Sequence, residues 1–302
     1  MLRRTADRLR HYLARPLAER LDAPSAVARP STAEQQLLRL AYQGLVRRGD
    51  PLPALAYVGF KVYSQNEEDG ILWFLFSVLG TTNRTSVEIC AADGIQCNTA
   101  NLILNHGWRG LLFDGSEENV ARGREFYARP DHPSPGGTFR AAWITRDNIN
   151  EMVTAAGFAG DIDLLVLDLD GVDYWIWEAL TVVRPRVVVV EYQDILGPER
   201  SLTVPYADDF SAFDHPMTED YRPNFAGASL RAFDALARSR GFRLVGVNRL
   251  EFNAFFVRED LGVGVLDTLD VADAFSPEFD ADRRARFATV ADAAWVEVPD
   301  RR

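Results

Sequence analysis

Basic charge is in short supply in this sequence. Its 33 Lys and Arg stand against 44 Asp and Glu, a formal charge of −11. That balance excludes a broad phosphate-binding surface and sets nucleic acid aside as a partner. Cysteine is scarcer still: Cys90 and Cys97 are the only two. They make no disulfide scaffold and show no zinc spacing, which fits a reducing, cytoplasmic setting. No apolar run approaches the roughly 18 residues that a membrane-spanning helix needs. The dinucleotide fingerprint G-x-G-x-x-G is missing, which disfavours a nicotinamide-dependent oxidoreductase.

What is present is ordinary globular composition, 47% hydrophobic over 302 residues. That is enough for one large domain, or one domain with an appendage. Residues 1–60 read as an N-terminal helical extension, broken at "APSAVARPST". Its start, "MLRRTADRLRHYLARPLAERL", is arginine-rich and has no apolar signal core. Leu2, Leu9, Leu13 and Leu17 recur near helical spacing, interrupted by Pro16. Such a helix packs on the main domain or on a second subunit of a homo-oligomer. The sharper alternative is a basic helix making peripheral contact with an anionic membrane.

From about residue 64 to residue 258 strand-like and helix-like segments alternate. The apolar runs cover 85–90, 110–115, 138–144, 163–169, 186–192, 242–248 and 253–258. Several carry no polar alternation, as expected of parallel strands buried on both faces. Only "RLEF" separates the last two runs, too short for a parallel crossover, so they form an antiparallel hairpin. The expected fold is α/β: a doubly wound, seven-stranded, mostly parallel sheet with one reversed strand. Class I methyltransferases have that arrangement, and flavodoxin-like and dehydrogenase folds compete with it. The tail from residue 273 reads as a terminal helix with a short extended end.

In open α/β sheets ligands bind beyond the carboxyl ends of the strands. The first strand ends in "EICAADG", where Gly94 can supply a tight turn and Ala91 and Ala92 permit close approach. Asp114 ends the second strand about twenty residues on, a spacing that suits a ribose. After the fourth strand, alternation puts Asp168 and Asp170 on one side, and after the fifth Glu191 and Gln193. Those oxygens suit a hard cation such as Mg²⁺. Without a cation the acids repel, and one with a raised pKa can serve as a base. In "YSQNEEDGIL", Ser64 and Glu67 have the spacing of a capping box, followed by Glu68 and Asp69 in the first turn. That leaves Gln65 and Asn66 open to a ligand role. His215 alone of four histidines lies in the long polar segment 197–226, a candidate lid, where a histidine can deprotonate a hydroxyl.

The motifs "YSQNEEDGIL", "VEICAADGIQCNTANLILNHGWRGLLFDG", "DLLVLDLDGVDYWIWEAL", "VVVVEYQ" and "GASLRAFDALARSRGFRLVGVNRLEFNAFFVR", in order over residues 63–258, resemble the FkbM-type S-adenosylmethionine-dependent methyltransferases. The resemblance implies a methyltransferase domain over 61–302. It implies that Glu88 to Gly94, with Ala91 and Asp93, hold the methionine part of S-adenosylmethionine. Asp114 then binds ribose, Trp143 and Ile144 border adenine, and Asp168 faces the sulfonium. Gln65, Glu68 and Asp69 approach the amino-acid end. Metal-dependent relatives place an acid and an acid/amide pair where Asp170, Glu191 and Gln193 stand. Two residues depart from the pattern: Cys90 stands where glycine is usual, and Gln193 where asparagine is usual. Relatives often accompany polysaccharide pathways, so the expected reaction is O-methylation of a sugar hydroxyl, with Asp168, Glu191 or His215 taking the proton. A non-sugar natural product as acceptor and a non-catalytic cofactor-binding scaffold are the alternatives.

Overall fold

The computed structural model describes residues 30–130, 132, 136–218 and 223–299. The basic helix expected over the first 21 residues, with its subunit and membrane alternatives, lies outside them. Helices α1 (Thr32–Arg48) and α2 (Glu68–Leu79) precede the sheet. Parallel strands β1 (Thr85–Ile89), β2 (Arg109–Asp114), β3 (Gly137–Ala141), β4 (Gly160–Leu167) and β5 (Val183–Glu191) follow. Between them run α3 (Ala100–His106), α4 (Glu117–Tyr127), α5 (Ile149–Ala155) and α6 (Asp173–Ala179). A two-residue strand β6 (Leu202–Thr203) and helix α7 (Leu230–Ser239) lead to β7 (Phe242–Val247) and β8 (Asn253–Arg258). The chain closes with α8 (Asp280–Ala288) and β9 (Val296–Glu297).

The main sheet has seven strands in the order β3-β2-β1-β4-β5-β8-β7. β8 runs antiparallel to both of its neighbours, and the other pairings are parallel. This is the doubly wound sheet with one reversed strand expected from the apolar runs. Its physical basis is plain in β5, where Val187 to Val190 are all buried. A strand with no polar face must be covered on both sides.

Two cores do the covering. On one face Val87, Ile89, Leu111 and Phe113 meet Ile149, Val153, Trp177 and Phe233 from α5, α6 and α7. On the other Leu112, Val166, Val189 and Phe255 meet Leu72, Phe74, Ile103 and Val120 from α2, α3 and α4. Each such fully buried side chain stabilises the fold by roughly 1.5–3 kcal/mol. α1 joins the second core through Tyr42, edge-on to Phe74 at 5.0 Å. Its ends follow the capping rules: Ser31 and Glu34 form a reciprocal capping box, and Gly49 closes it at φ 68°. Among the described residues no helix is long and apolar enough to cross a membrane.

Because β1 and β4 lie side by side while their chains leave in opposite directions, a crevice opens at the carboxyl ends of β1, β4 and β5.

Candidate functional site

That crevice is a cavity of about 390 Å³. Among the described residues eight carboxylates line it, from Glu68, Glu88, Asp114, Asp168, Asp170, Asp173, Glu191 and Asp194, against one guanidinium, Arg286. A wall of that sign attracts cations.

The first wall is the turn after β1. Cys90 (φ 67°), Ala92 (φ 51°) and Gly94 (φ 66°) all take left-handed backbone. Glycine is required at the last, because a Cβ there would meet the Phe139 ring at 2.8 Å. Glu88 holds the turn from within. Its Oε1 accepts from the Asn98 amide at 2.9 Å and its Oε2 from the Thr99 amide at 3.0 Å. Burial pushes its carboxyl above the usual range. Asp93 faces away, paired with Arg122 at 3.0 Å, and neither it nor Gly94 lines the cavity. Cys90 opens into it. Enclosure by the walls, then the charges of Asp114, Asp170 and Asp168, push its thiol well above its ordinary value. Asp114 accepts from the Ser116 amide and Asn119 Nδ2 with Oδ1. Its Oδ2 lies 4.0 Å from Cys90 Sγ.

The second wall is the loop before α2, and here the structure corrects the sequence reading. Ser64 and Glu67 form no capping box: Glu67, at the N-cap, makes no side-chain cap. The loop is organised by Asp69 instead. Its Oδ2 accepts from the amides of Val62, Tyr63 and Ser64 at 2.7–2.8 Å. Ser64 Oγ accepts from the Asp69 amide at 3.2 Å. A charged acceptor for three amides outcompetes a single hydroxyl cap. Asp69 is therefore spent inside the loop and does not line the cavity, whereas Gln65, Asn66 and Glu68 do. Burial raises the Asp69 carboxyl to about 6. Glu68 Oε1 accepts from Asn248 Nδ2 at 2.9 Å and Asn253 Nδ2 at 3.2 Å, so the β7–β8 hairpin holds it. Asn253 Oδ1 is buried without a partner.

The third wall carries the acids. β4 ends at Leu167, so Asp168 and Asp170 meet through a turn and not by strand alternation; Asp170 sits at φ 53°. Asp173, at the start of α6, clamps that turn by accepting from the amides of Leu169 and Gly171. Asp168, Asp170 and Glu191 then place carboxylate oxygens within 4.8 Å of one another. Burial raises both Asp168 and Glu191; the Asp170 charge raises Asp168 further, and the charges of Asp168 and then Asp170 raise Glu191 further. At this separation two unit charges repel by roughly 3–4 kcal/mol at an effective dielectric of 20. A shared proton or a cation would relieve that repulsion. Gln193 stands nearby, its Nε2 donating to Pro223 O at 3.1 Å.

Past Cys90, Asp114 and Gly171 the cavity borders a smaller slot of about 70 Å³ walled by Trp143, Ile144, Leu169 and Phe210. β3 ends at Ala141, three residues before the apolar run does, which frees Trp143 to lie against Gly115. Trp143 Nε1 donates to Asp208 O at 2.5 Å. His215 is brought to neither space: it stacks on Phe210 and meets Phe225 edge-on. Among the residues that sequence reading passed over, Asn253 and Arg286 reach the cavity. Arg286, from α8, pairs with Asp194 at 3.1 Å and with Asn224 at 3.0 Å. Asn253 lies in the matched hairpin motif, where its polar side chain was the available signal; Arg286 had none.

No protein-family model and no curated protein matches the chain. Solved structures do resemble it. The N-terminal domain of EvdMO1 with SAH bound is 14% identical, over 72% of this chain and 94% of that one, with a TM-score of 0.41. An O-methyltransferase from Bacillus cereus in complex with SAH is 16% identical, over 76% and 91%, with a TM-score of 0.41. Magnesium protoporphyrin IX methyltransferase from Synechocystis PCC 6803 with bound SAM is 10% identical, over 74% and 79%, with a TM-score of 0.36. These likenesses concern the fold; the chemistry rests on the residues of the cavity.

Proposed function

We propose that the protein is an S-adenosylmethionine-dependent O-methyltransferase acting on a sugar hydroxyl. The observation that carries this reading is the Asp168–Asp170–Glu191 cluster, set in an acidic cavity beside Asp114 and the aromatic slot. A cofactor with a sulfonium and a protonated amine suits a wall of carboxylates. Asp114 Oδ2 suits a ribose hydroxyl, and the slot of Trp143, Ile144 and Leu169 suits a flat base. The orphaned acceptor Asn253 Oδ1, beside Glu68, suits the ammonium.

The donor set also fits a hard cation: three carboxylates whose mutual repulsion a divalent ion would relieve. Asp168, Asp170 and Glu191 would hold it, and it would lower the pKa of an acceptor hydroxyl. Asp168 or Glu191 accepts the acceptor's proton as its oxygen takes the methyl group and the sulfonium becomes a neutral thioether. Gln193 borders this end and, through its bond to Pro223, ties it to the lid segment.

A non-catalytic scaffold is the second reading, favoured by Cys90, whose side chain occupies the turn where a close approach to the methionine end would be made. Calorimetric titration with S-adenosylmethionine and S-adenosylhomocysteine, with Mg²⁺ and with chelator, separates the two when followed by methyl transfer to saccharides, phenols and lipids. Micromolar binding and transfer to saccharides is the expected result. Binding without transfer to any acceptor makes the scaffold the better reading, and transfer to phenols alone overturns the sugar assignment.

A further inference from the structure

A second recess, of about 210 Å³, lies at the opposite end of the sheet. It opens where α1 and α2 cover the amino ends of β1 and β2. Arg84 immediately precedes β1, and Arg39 comes from α1. Among the described residues no carboxylate lines it, and neither arginine side chain has an ion-pair partner there. Asp163, which is bonded to the Arg84 amide, is occupied. It accepts from the amides of Thr82, Asn83 and Arg84 and faces Arg186 at 3.4 Å. In a chain of charge −11, two such guanidiniums on one recess run against the overall balance.

The surroundings keep the recess cationic and shaped. Arg39 lies over the Trp73 ring, 5.8 Å from its centroid. Trp73 in turn stacks on His106 at 3.9 Å and donates from Nε1 to Gln35 O at 2.6 Å. Both nitrogens of His106 are engaged, Nδ1 with Gln36 Nε2 at 3.3 Å and Nε2 with Gln35 Oε1 at 2.8 Å. The Gln36 amide donates, so Nδ1 accepts and Nε2–H donates, which is the neutral imidazole. Burial, then Arg39 and Arg84, lower its pKa to about 4. The arrangement thus holds two fixed positive charges beside a histidine that adds none.

We propose that this recess binds a small phosphorylated metabolite by its phosphate group, with Arg39 and Arg84 as the charged ligands and Gln36 and Thr81 as neutral donors at its rim. Two guanidiniums match a dianion in charge and offer forked donors to its oxygens. The volume is below the roughly 300–1,000 Å³ of pockets that take drug-sized ligands, so the occupant is phosphate-sized with a short organic remainder. The site lies outside the methyl-transfer cavity, and its occupancy clamps α1 onto the sheet.

Inorganic phosphate and ribose 5-phosphate, titrated separately into the full chain by calorimetry at constant ionic strength, test the proposal. Saturable 1:1 binding is expected, weakened about tenfold by Arg39→Gln and by Arg84→Gln. Tighter binding of ribose 5-phosphate supports the metabolite, and equal binding assigns the site to free phosphate. Binding also raises the titration midpoint of His106, followed by NMR, because the anion offsets the two guanidiniums. S-adenosylhomocysteine affinity stays the same in both variants, which separates loss of the site from loss of the fold. The proposal is overturned by absence of binding up to about 10 mM, or by binding that both variants retain in full. Binding confined to an acidic peptide such as oligoglutamate overturns it in favour of a protein partner.

Discussion

Asp168, Asp170 and Glu191 are where single side chains decide most. Removing Asp170 or Glu191 with alanine takes away a base, a cation ligand or both. Turnover is expected to fall about 10²–10⁴-fold, with S-adenosylhomocysteine affinity within a few-fold of wild type. Single-turnover methyl transfer beside calorimetry checks this, and full turnover in both variants would place the chemistry elsewhere. The same repulsion sets the pH profile. Burial and the neighbouring charges hold the Asp168 and Glu191 carboxyls above their usual range. The basic form accordingly accumulates only above that range, and kcat/KM climbs with pH. A cation favours the ionised form, so Mg²⁺ moves the rising limb to lower pH. These acids were legible as strand-end residues. Arg286 was not, since its partner Asp194 lies 92 residues away in the chain.

At the scale of elements, the loop before α2 decides whether Glu68 and Gln65 stand at the cavity. Asp69 anchors it through three amides. Asp69→Asn keeps one oxygen for the three amides but buries an unpartnered NH2 where Oδ1 now lies without a partner, and should destabilise the protein by about 1–3 kcal/mol. Gly70 makes the same junction tight: a Cβ there would fall 2.2 Å from the Phe60 amide nitrogen and 2.4 Å from Val58 O. Gly70→Ala should cost about 2–3 kcal/mol by forcing backbone apart. Urea denaturation of both variants checks these values; a Gly70→Ala protein as stable as wild type would mean that α2 shifts freely. From sequence this loop reads as a capping box, because Ser64 and Glu67 have the spacing. The amide donors that Asp69 collects are five to seven residues back, beyond what a cap pattern encodes.

For the molecule as a whole, buried acids couple stability to pH. Burial raises Asp69 and Asp173 to about 6 each, against roughly 3.9 for an unfolded aspartate. Between those values the folded state binds more protons than the unfolded one, so stability falls as pH rises from about 4 to about 6. Asp168 and Glu191, also raised, carry the decline to higher pH. Scanning calorimetry should therefore show a higher Tm near pH 5 than near pH 8 without added cation, and a smaller difference with Mg²⁺. A Tm that rises over that interval would contradict these assignments. S-Adenosylhomocysteine at a hundred times its Kd adds about 2.7 kcal/mol, which for a chain of this size raises Tm by roughly 4 °C.

Local pattern alone determined the α/β class and the reversed strand here. Unbroken apolar runs demand burial on both faces, and a four-residue link demands a hairpin; both facts are written within a few residues of one another. It also marked the strand ends at which Glu88, Asp114, Asp168 and Glu191 stand. The tertiary structure decided which of those groups face one another. It turned Asp93 and Asp69 to structural partners, left His215 on an aromatic stack, and brought Asn253 and Arg286 to the cavity. Orientation of that kind follows from packing between segments far apart in the chain, and periodicity carries no record of it.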